Sequence, residues 1–329
     1  MSFASETPYA AQPVPLLDAE GRDVLVAIVK GTFTAARPGA LRLADVQSPV
    51  RMSDVLCDPE DPRSSLRFPS DVCVEKRGTD VIVVGDAISA APVKEMDVAV
   101  MVRRRIVPLR VHRPRVFFAG VFGVGIGPAA PFERVPLVYE RAYGGQSDDL
   151  SVVELRNPSG VGVAARAADL VGKRAPQIEH PERPHTSAGD RHAPVGFGAI
   201  MTHWSPRREH AGTFDARWQA TRMPLLPEDY DPRYANVAHP SLQLEEHLAP
   251  GDPLRVLGMS LEQLALELPP FPIVATARYD TGERVEVRPP IDTVIVLPEE
   301  QRIEIVARAA FPTGRGRRVL REVIVRTDG

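Results

Sequence analysis

Apolar residues recur along this chain in short β-branched runs separated by turn residues. Such runs fall at residues 24–33, 41–43, 81–84, 97–102, 106–111 and 116–122. The Arg37-Pro38-Gly39 turn predicts a hairpin between the first two. The run Arg103-Arg104-Arg105 reads as an exposed turn joining 97–102 to 106–111. After Pro253 the texture returns, with strands expected at 254–257, 264–268, 273–279, 284–288, 293–297, 303–307 and 319–325. The sequence Pro312-Thr313-Gly314-Arg315-Gly316 predicts a hairpin between the last two. Strands at this spacing argue for a sandwich or barrel rather than βαβ units.

Between about residues 131 and 248 the periodicity fades and turn residues take over. Short helices are expected at 163–171, stopped by Gly172, at 216–222 with Asp215 as N-cap, and at 242–248 after Ser241. The chain has 33 prolines, about twice the usual share, and proline disfavours long helices. A turn-rich stretch with this aromatic content is expected to be ordered, because disorder favours few aromatics and high net charge. The expected fold is therefore mostly β: two β-sheet lobes, sandwich- or barrel-like, joined by a long Pro/Gly-rich ordered region with short helices. The lobes are placed at 1–115 and 251–329, packed together or apart, with the centre at 116–250. A loose echo between AIVKGTF (27–33) and IVARAAF (305–311) is compatible with duplicated lobes, but a loose match over seven residues is more often chance.

A net charge of −3 provides no field to draw nucleic acid or an anionic membrane. Cys57 and Cys73 cannot make a disulfide framework, and their spacing fits no zinc motif. The uncharged run 116–132 is short and broken by Gly120, Gly123, Gly125, Gly127, Pro128 and Pro131. It reads as a strand leading into a loop, not a membrane span. The start MSFASETPYA has neither the basic residues nor the apolar stretch of a signal peptide, so a cytoplasmic protein is expected.

Candidate chemistry is sparse. Gly123-Val-Gly125-Ile-Gly127 follows a strand, but Pro128 replaces the helix a dinucleotide loop needs. No phosphate loop and no serine-hydrolase elbow occur. His180, His185, His192, His203 and His210 are irregularly spaced, unlike metal ligands on a regular element. Asp229-x-Asp231 begins like a calcium loop, but Arg233 occupies the third position, so a turn fits better. Glu140 is either a catalytic carboxylate or half of a charge-assisted pair with Arg141 that fixes a bend. Trp204 and Trp218 lie near Arg207, Arg208 and Arg217 and suit cation–π contacts, as core staples or as interface anchors. Arg315, Arg317, Arg318 and Arg321 read as a solvated turn rather than phosphate contacts.

The centre carries ordered motifs: PLVYERAYGG (136–145), NPSGVG (157–162), PQIE (176–179), PVGFGAI (194–200), WSPR (204–207), AGTFDARW (211–218) and PLLPEDYDPRY (224–234). Together with KGTF (30–33) and TDVIVVGDA (79–87), they resemble the type VI secretion-associated adaptor family, over about residues 20–310. The chain departs from that pattern at His112-Arg113-Pro114-Arg115, where a Gly-Asp-Arg is usual, and at Gln177 and Ala199. The resemblance implies an adaptor or chaperone that holds a PAAR-type spike-tip protein or its toxin and helps load it onto the VgrG spike. It implies no catalytic residue, cofactor or metal. It offers Tyr139, Glu140, Arg141, Trp204, Arg207, Asp215, Trp218, Asp229 and Arg233 as motif or partner-contact residues. The alternative left open is a hydrolase or carbohydrate-active enzyme using Glu140, Asp215 or Asp229; a carboxylate pair across an open cleft would favour it.

Overall fold

The computed structural model describes residues 1–37, 40–314 and 318–328. The expected turn residues Pro38, Gly39, Arg315, Gly316 and Arg317 lie outside them. The apolar runs form strands in several sheets, and the chain is mostly β with no closed barrel among the described residues.

The largest sheet runs, in spatial order, through Gln243–Leu244, Thr79–Val83, Ile291–Leu297, Arg302–Pro312, Asp23–Arg37 and Ala10–Leu17. Thr79–Val83 and Ile291–Leu297 are buried at every position, which is why 81–83 and 294–297 within them read as continuous apolar runs rather than alternations. Asp23–Arg37 and Arg302–Pro312 pair antiparallel from Thr34 opposite Arg302 to Val24 opposite Pro312. The two echoed segments are thus neighbouring strands. Ala10–Leu17 closes the sheet as an edge and carries Pro13 and Pro15, which cannot donate to a further ladder.

A second sheet is ordered Ile178–Glu179, Arg105–His112, Glu95–Val102, Pro253–Leu257 and Leu264–Glu267. A third sets Ser2–Glu6 parallel to Leu320–Thr327, followed by Ile273–Tyr279 and Arg284–Val287. One buried cluster draws on all three sheets, from Val29 and Ile305 through Val100 and Leu254 to Ala275 and Val323.

Several expectations are corrected. Arg302–Pro312 and Leu320–Thr327 do not pair as a hairpin. The first is already flanked on both sides, by Ile291–Leu297 and Asp23–Arg37, so the second joins the third sheet. Residues 242–248 are not a helix: a 3-10 turn at Pro240–Leu242 leads into Gln243–Leu244, captured by the edge of Thr79–Val83. The helix expected at 163–171 shrinks to a 3-10 turn at Ala167–Leu170. The helix Ala216–Thr221 forms as expected, with Asp215 accepting the Trp218 amide at 2.8 Å. The glycine run beginning at Gly123 is not a loop; Gly123–Ile126 is a strand paired with Arg115–Gly120. No described helix is long and apolar enough to cross a membrane.

The three-arginine turn forms as expected, joining Glu95–Val102 to Arg105–His112 with Arg104 and Arg105 exposed. Arg103 adopts φ 51°, and its guanidinium binds Asp252 at 2.8 Å and Glu246 at 3.2 Å. Arg105 donates to the carbonyls of Ser241 and Gln243. The turn therefore ties the second sheet to the central region. Arg103→Ala is expected to cost about 1 kcal/mol, while Arg104→Ala is neutral. Chemical denaturation of the two variants checks this.

Candidate functional site

The central motifs pack into a set of locked turns. Tyr143 and Gly144 bridge in parallel to Val161 and Gly162, joining YERAYGG to NPSGVG. Asn157 is fully buried and its amide donates to the carbonyls of Tyr139 and Tyr143 at 2.9 and 3.0 Å. Gly145 sits at φ 93°, and a Cβ there would lie 2.4 Å from the Gly160 carbonyl oxygen, so no side chain fits.

Glu140 and Arg141 do not pair with each other, contrary to the expected bend-fixing pair. Glu140 accepts from the Ser64 hydroxyl at 2.9 Å and from the Ser65 amide and hydroxyl at 2.6 and 2.8 Å. It clamps an amino-terminal loop to the centre. Arg141 donates to the Gln177 amide oxygen at 2.7 Å. Burial, together with the neighbouring Arg174 charge, lowers its pKa. The pair fails because each partner is committed to a different segment.

The charged core of the motif region is instead Glu179 of PQIE, a residue absent from the expected contact set. Only 1% exposed, it takes His112 Nε2 at 2.7 Å, Arg115 Nη2 at 3.0 Å and the His185 amide at 2.8 Å. His185 in turn stacks on Tyr143, with ring centroids 5.0 Å apart. His112 and Arg115 come from the His-Arg-Pro-Arg segment that breaks the resembled pattern. Two basic residues three apart beside a strand end were the available signal for this carboxylate. Burial pushes the Glu179 carboxyl pKa up, but hydrogen bonds from His112 and His185 and the Arg115 charge hold it below the usual carboxylate range.

A second buried network fixes the amino-terminal half. Lys30 and Glu304, both fully buried, meet at 3.2 Å; Lys30 also binds Asp71 at 2.9 Å, and Arg51 binds Glu304 at 2.6 Å. Burial raises the Glu304 carboxyl pKa, but the Arg51 hydrogen bonds and Lys30 charge bring it to about 2. Both glutamates thus titrate below the unfolded value of about 4.3. Their stabilisation is complete above that value and is lost as pH falls through it toward the folded values. The urea midpoint is expected to fall steadily below about pH 5. A midpoint indifferent to acid between about pH 5 and 3 would contradict these linkages.

Trp204 of WSPR is fully buried, its ring edge-on to Tyr139 at 5.2 Å, and its indole nitrogen donates to His203. Trp218 is half-buried against Phe214 and donates to the Leu225 carbonyl. The expected arginine–tryptophan contacts do not form among the described residues. Arg207 lies 5.4 Å from the Tyr234 ring centroid, and donates to the carbonyls of Ile200 and Tyr234. Burial lowers the Arg207 pKa, and no described carboxylate pairs with it. Asp229 accepts from the Thr213 amide and hydroxyl, and Arg233 pairs with Asp231 at 2.5 Å.

Arg207, Tyr230 and Tyr234 line a cleft of about 840 Å³ whose other wall includes Val24, Val72 and Ala310 on the flank of the largest sheet. The turn residues are anchored to that sheet through Asp80. This carboxylate binds Lys76 at 2.7 Å and accepts from the Asn236 amide and the Val237 backbone at 3.1 and 2.8 Å. Cys73 also borders the cleft, but burial raises its thiol pKa and keeps it protonated. Asp215 and Asp229 share a separate hollow of about 280 Å³, each holding a backbone amide. Glu140 lies apart from both. No cluster of metal-ligating side chains occurs among the described residues. The structure thus brings Tyr139 to Trp204, and Asp215 to Trp218 in a hollow shared with Asp229, and leaves the remaining expected residues in separate braces.

The fold and its motifs define a β scaffold braced by turns, with open clefts on its surface. The chain belongs to the DUF2169 family, described as an uncharacterized protein conserved in bacteria, over residues 20–308. Neither a curated protein nor a solved structure matches it.

Proposed function

We propose that this chain is a non-enzymatic cytoplasmic adaptor or chaperone. It binds a PAAR-type spike-tip protein or its toxin effector and helps load it onto the VgrG spike of a type VI secretion system. The ordered motifs motivate the reading, and one observation carries it physically. The carboxylates an enzyme would need are used as braces: Glu140 on Ser64 and Ser65, Asp215 on Trp218, Asp229 on Thr213, Glu179 on His112 and Arg115. A surface fixed in this way loses little freedom on binding, which favours affinity.

The hydrolase reading has one observation in its favour, the shared hollow of Asp215 and Asp229. Their engagement with backbone amides makes them structural caps in the adaptor reading. Co-expression with a PAAR-type protein from the same genome tests the proposal. The expected result is a complex that survives size exclusion at both low and high salt, with raised partner solubility. Separate elution at both salts, with the partner equally soluble alone, would move the enzyme reading ahead.

A further inference from the structure

The strands Arg115–Gly120 and Gly123–Ile126 form a three-stranded sheet with Arg174–Ala175. Cross-strand register separates its faces. Phe117 and, opposite it, Ile126 look inward with Val124 onto Leu170, Ala164 and Ala175. The other face holds Val116, Phe118 and, opposite Val116, Arg174. An antiparallel sheet with one solvated face ordinarily carries polar residues there. Here Val116 is 46% and Phe118 49% exposed, and the turn beyond them, Val121-Phe122, is 95% and 104% exposed. Phe118 lies over Gly125, where a Cβ would come within 3.1 Å of its ring. A contiguous apolar face ending in a fully exposed phenylalanine marks an interaction surface.

This face is edged by basic side chains. Arg174 makes no ion pair among the described residues, and Arg113, just before the first strand, donates only to the Pro131 carbonyl. Two copies of the face would bring these cations together, so a second copy of this chain is disfavoured.

We propose that this face and its Val121-Phe122 tip dock on a protein partner whose contact surface is an apolar groove edged by carboxylates. The assignment rests on the adaptor reading: the partner is the PAAR-type spike-tip protein, and the phenylalanine is the anchor of the contact. An aromatic side chain at the centre of such a contact carries a disproportionate share of the binding energy.

The test uses the full chain with a PAAR-type protein from the same genome, comparing wild type with Phe122→Asp, Val121→Asp and Arg174→Glu. The tip variants should melt like wild type, because the altered side chains touch solvent. Phe122→Asp should weaken the complex at least about thirtyfold and Arg174→Glu by less. A wild-type complex that Phe122→Asp leaves intact overturns the docking face while leaving the adaptor function standing. Absence of any wild-type complex removes both. A wild-type dimer that Phe122→Asp dissociates, or wild-type chain sedimenting with phosphatidylserine vesicles through Phe122, would also overturn the assignment.

Discussion

Glu179→Ala is expected to lower folding stability by about 3–5 kcal/mol, because it leaves Arg115 and His112 buried without their shared carboxylate. The side chain is 1% exposed, and it also accepts the His185 amide, so the substitution strands one backbone donor as well. Urea denaturation reads the loss directly. A cost under about 1 kcal/mol would mean that the cluster relaxes without its anion. Arg141→Ala should be far milder, about 1 kcal/mol, since its hydrogen-bond partner is the neutral amide of Gln177.

Trp204→Ala is expected to cost about 3–5 kcal/mol by opening a cavity beneath Tyr139. Trp204→Phe keeps the edge-on ring contact and should recover much of that loss. The chain has two tryptophans, and Trp218 is the more exposed, so Trp204→Ala should also remove the blue-shifted part of the fluorescence. Near-wild-type thermal melting of Trp204→Ala would mean that the indole does not hold the motif region together.

The strands were legible because their burial leaves a direct trace in residue type. Thr79–Val83 and Ile291–Leu297 are covered on both faces, and their apolar runs say so. The cap at Asp215 was legible for a local reason: a side chain three residues from the amide it accepts is visible in a short window. Strand partners were not. The turn around Thr313-Gly314 looks like a hairpin in any local window, and only the prior occupation of both flanks of Arg302–Pro312 sends the next strand elsewhere. The charged clusters failed to show for the same reason. His112, Arg115 and Glu179 converge from different segments, as do Lys30, Asp71 and Glu304. Adjacency misled at Glu140 and Arg141, where neighbours in sequence serve separate braces.

The sheet order carries a consequence for how the molecule is made. Asp23–Arg37 finds its main partner in Arg302–Pro312, and Ser2–Glu6 finds its partner in Leu320–Thr327. A ribosome delivers the earlier member of each pair long before the later one. Until the later strands emerge, the β-branched length of Asp23–Arg37 has an open flank, the kind of nascent edge that pairs promiscuously. Closing such distant ladders is slow. The nascent chain should therefore depend on holdase chaperones throughout elongation, and truncation before Ile291 should leave a product destined for proteolysis rather than a folded fragment.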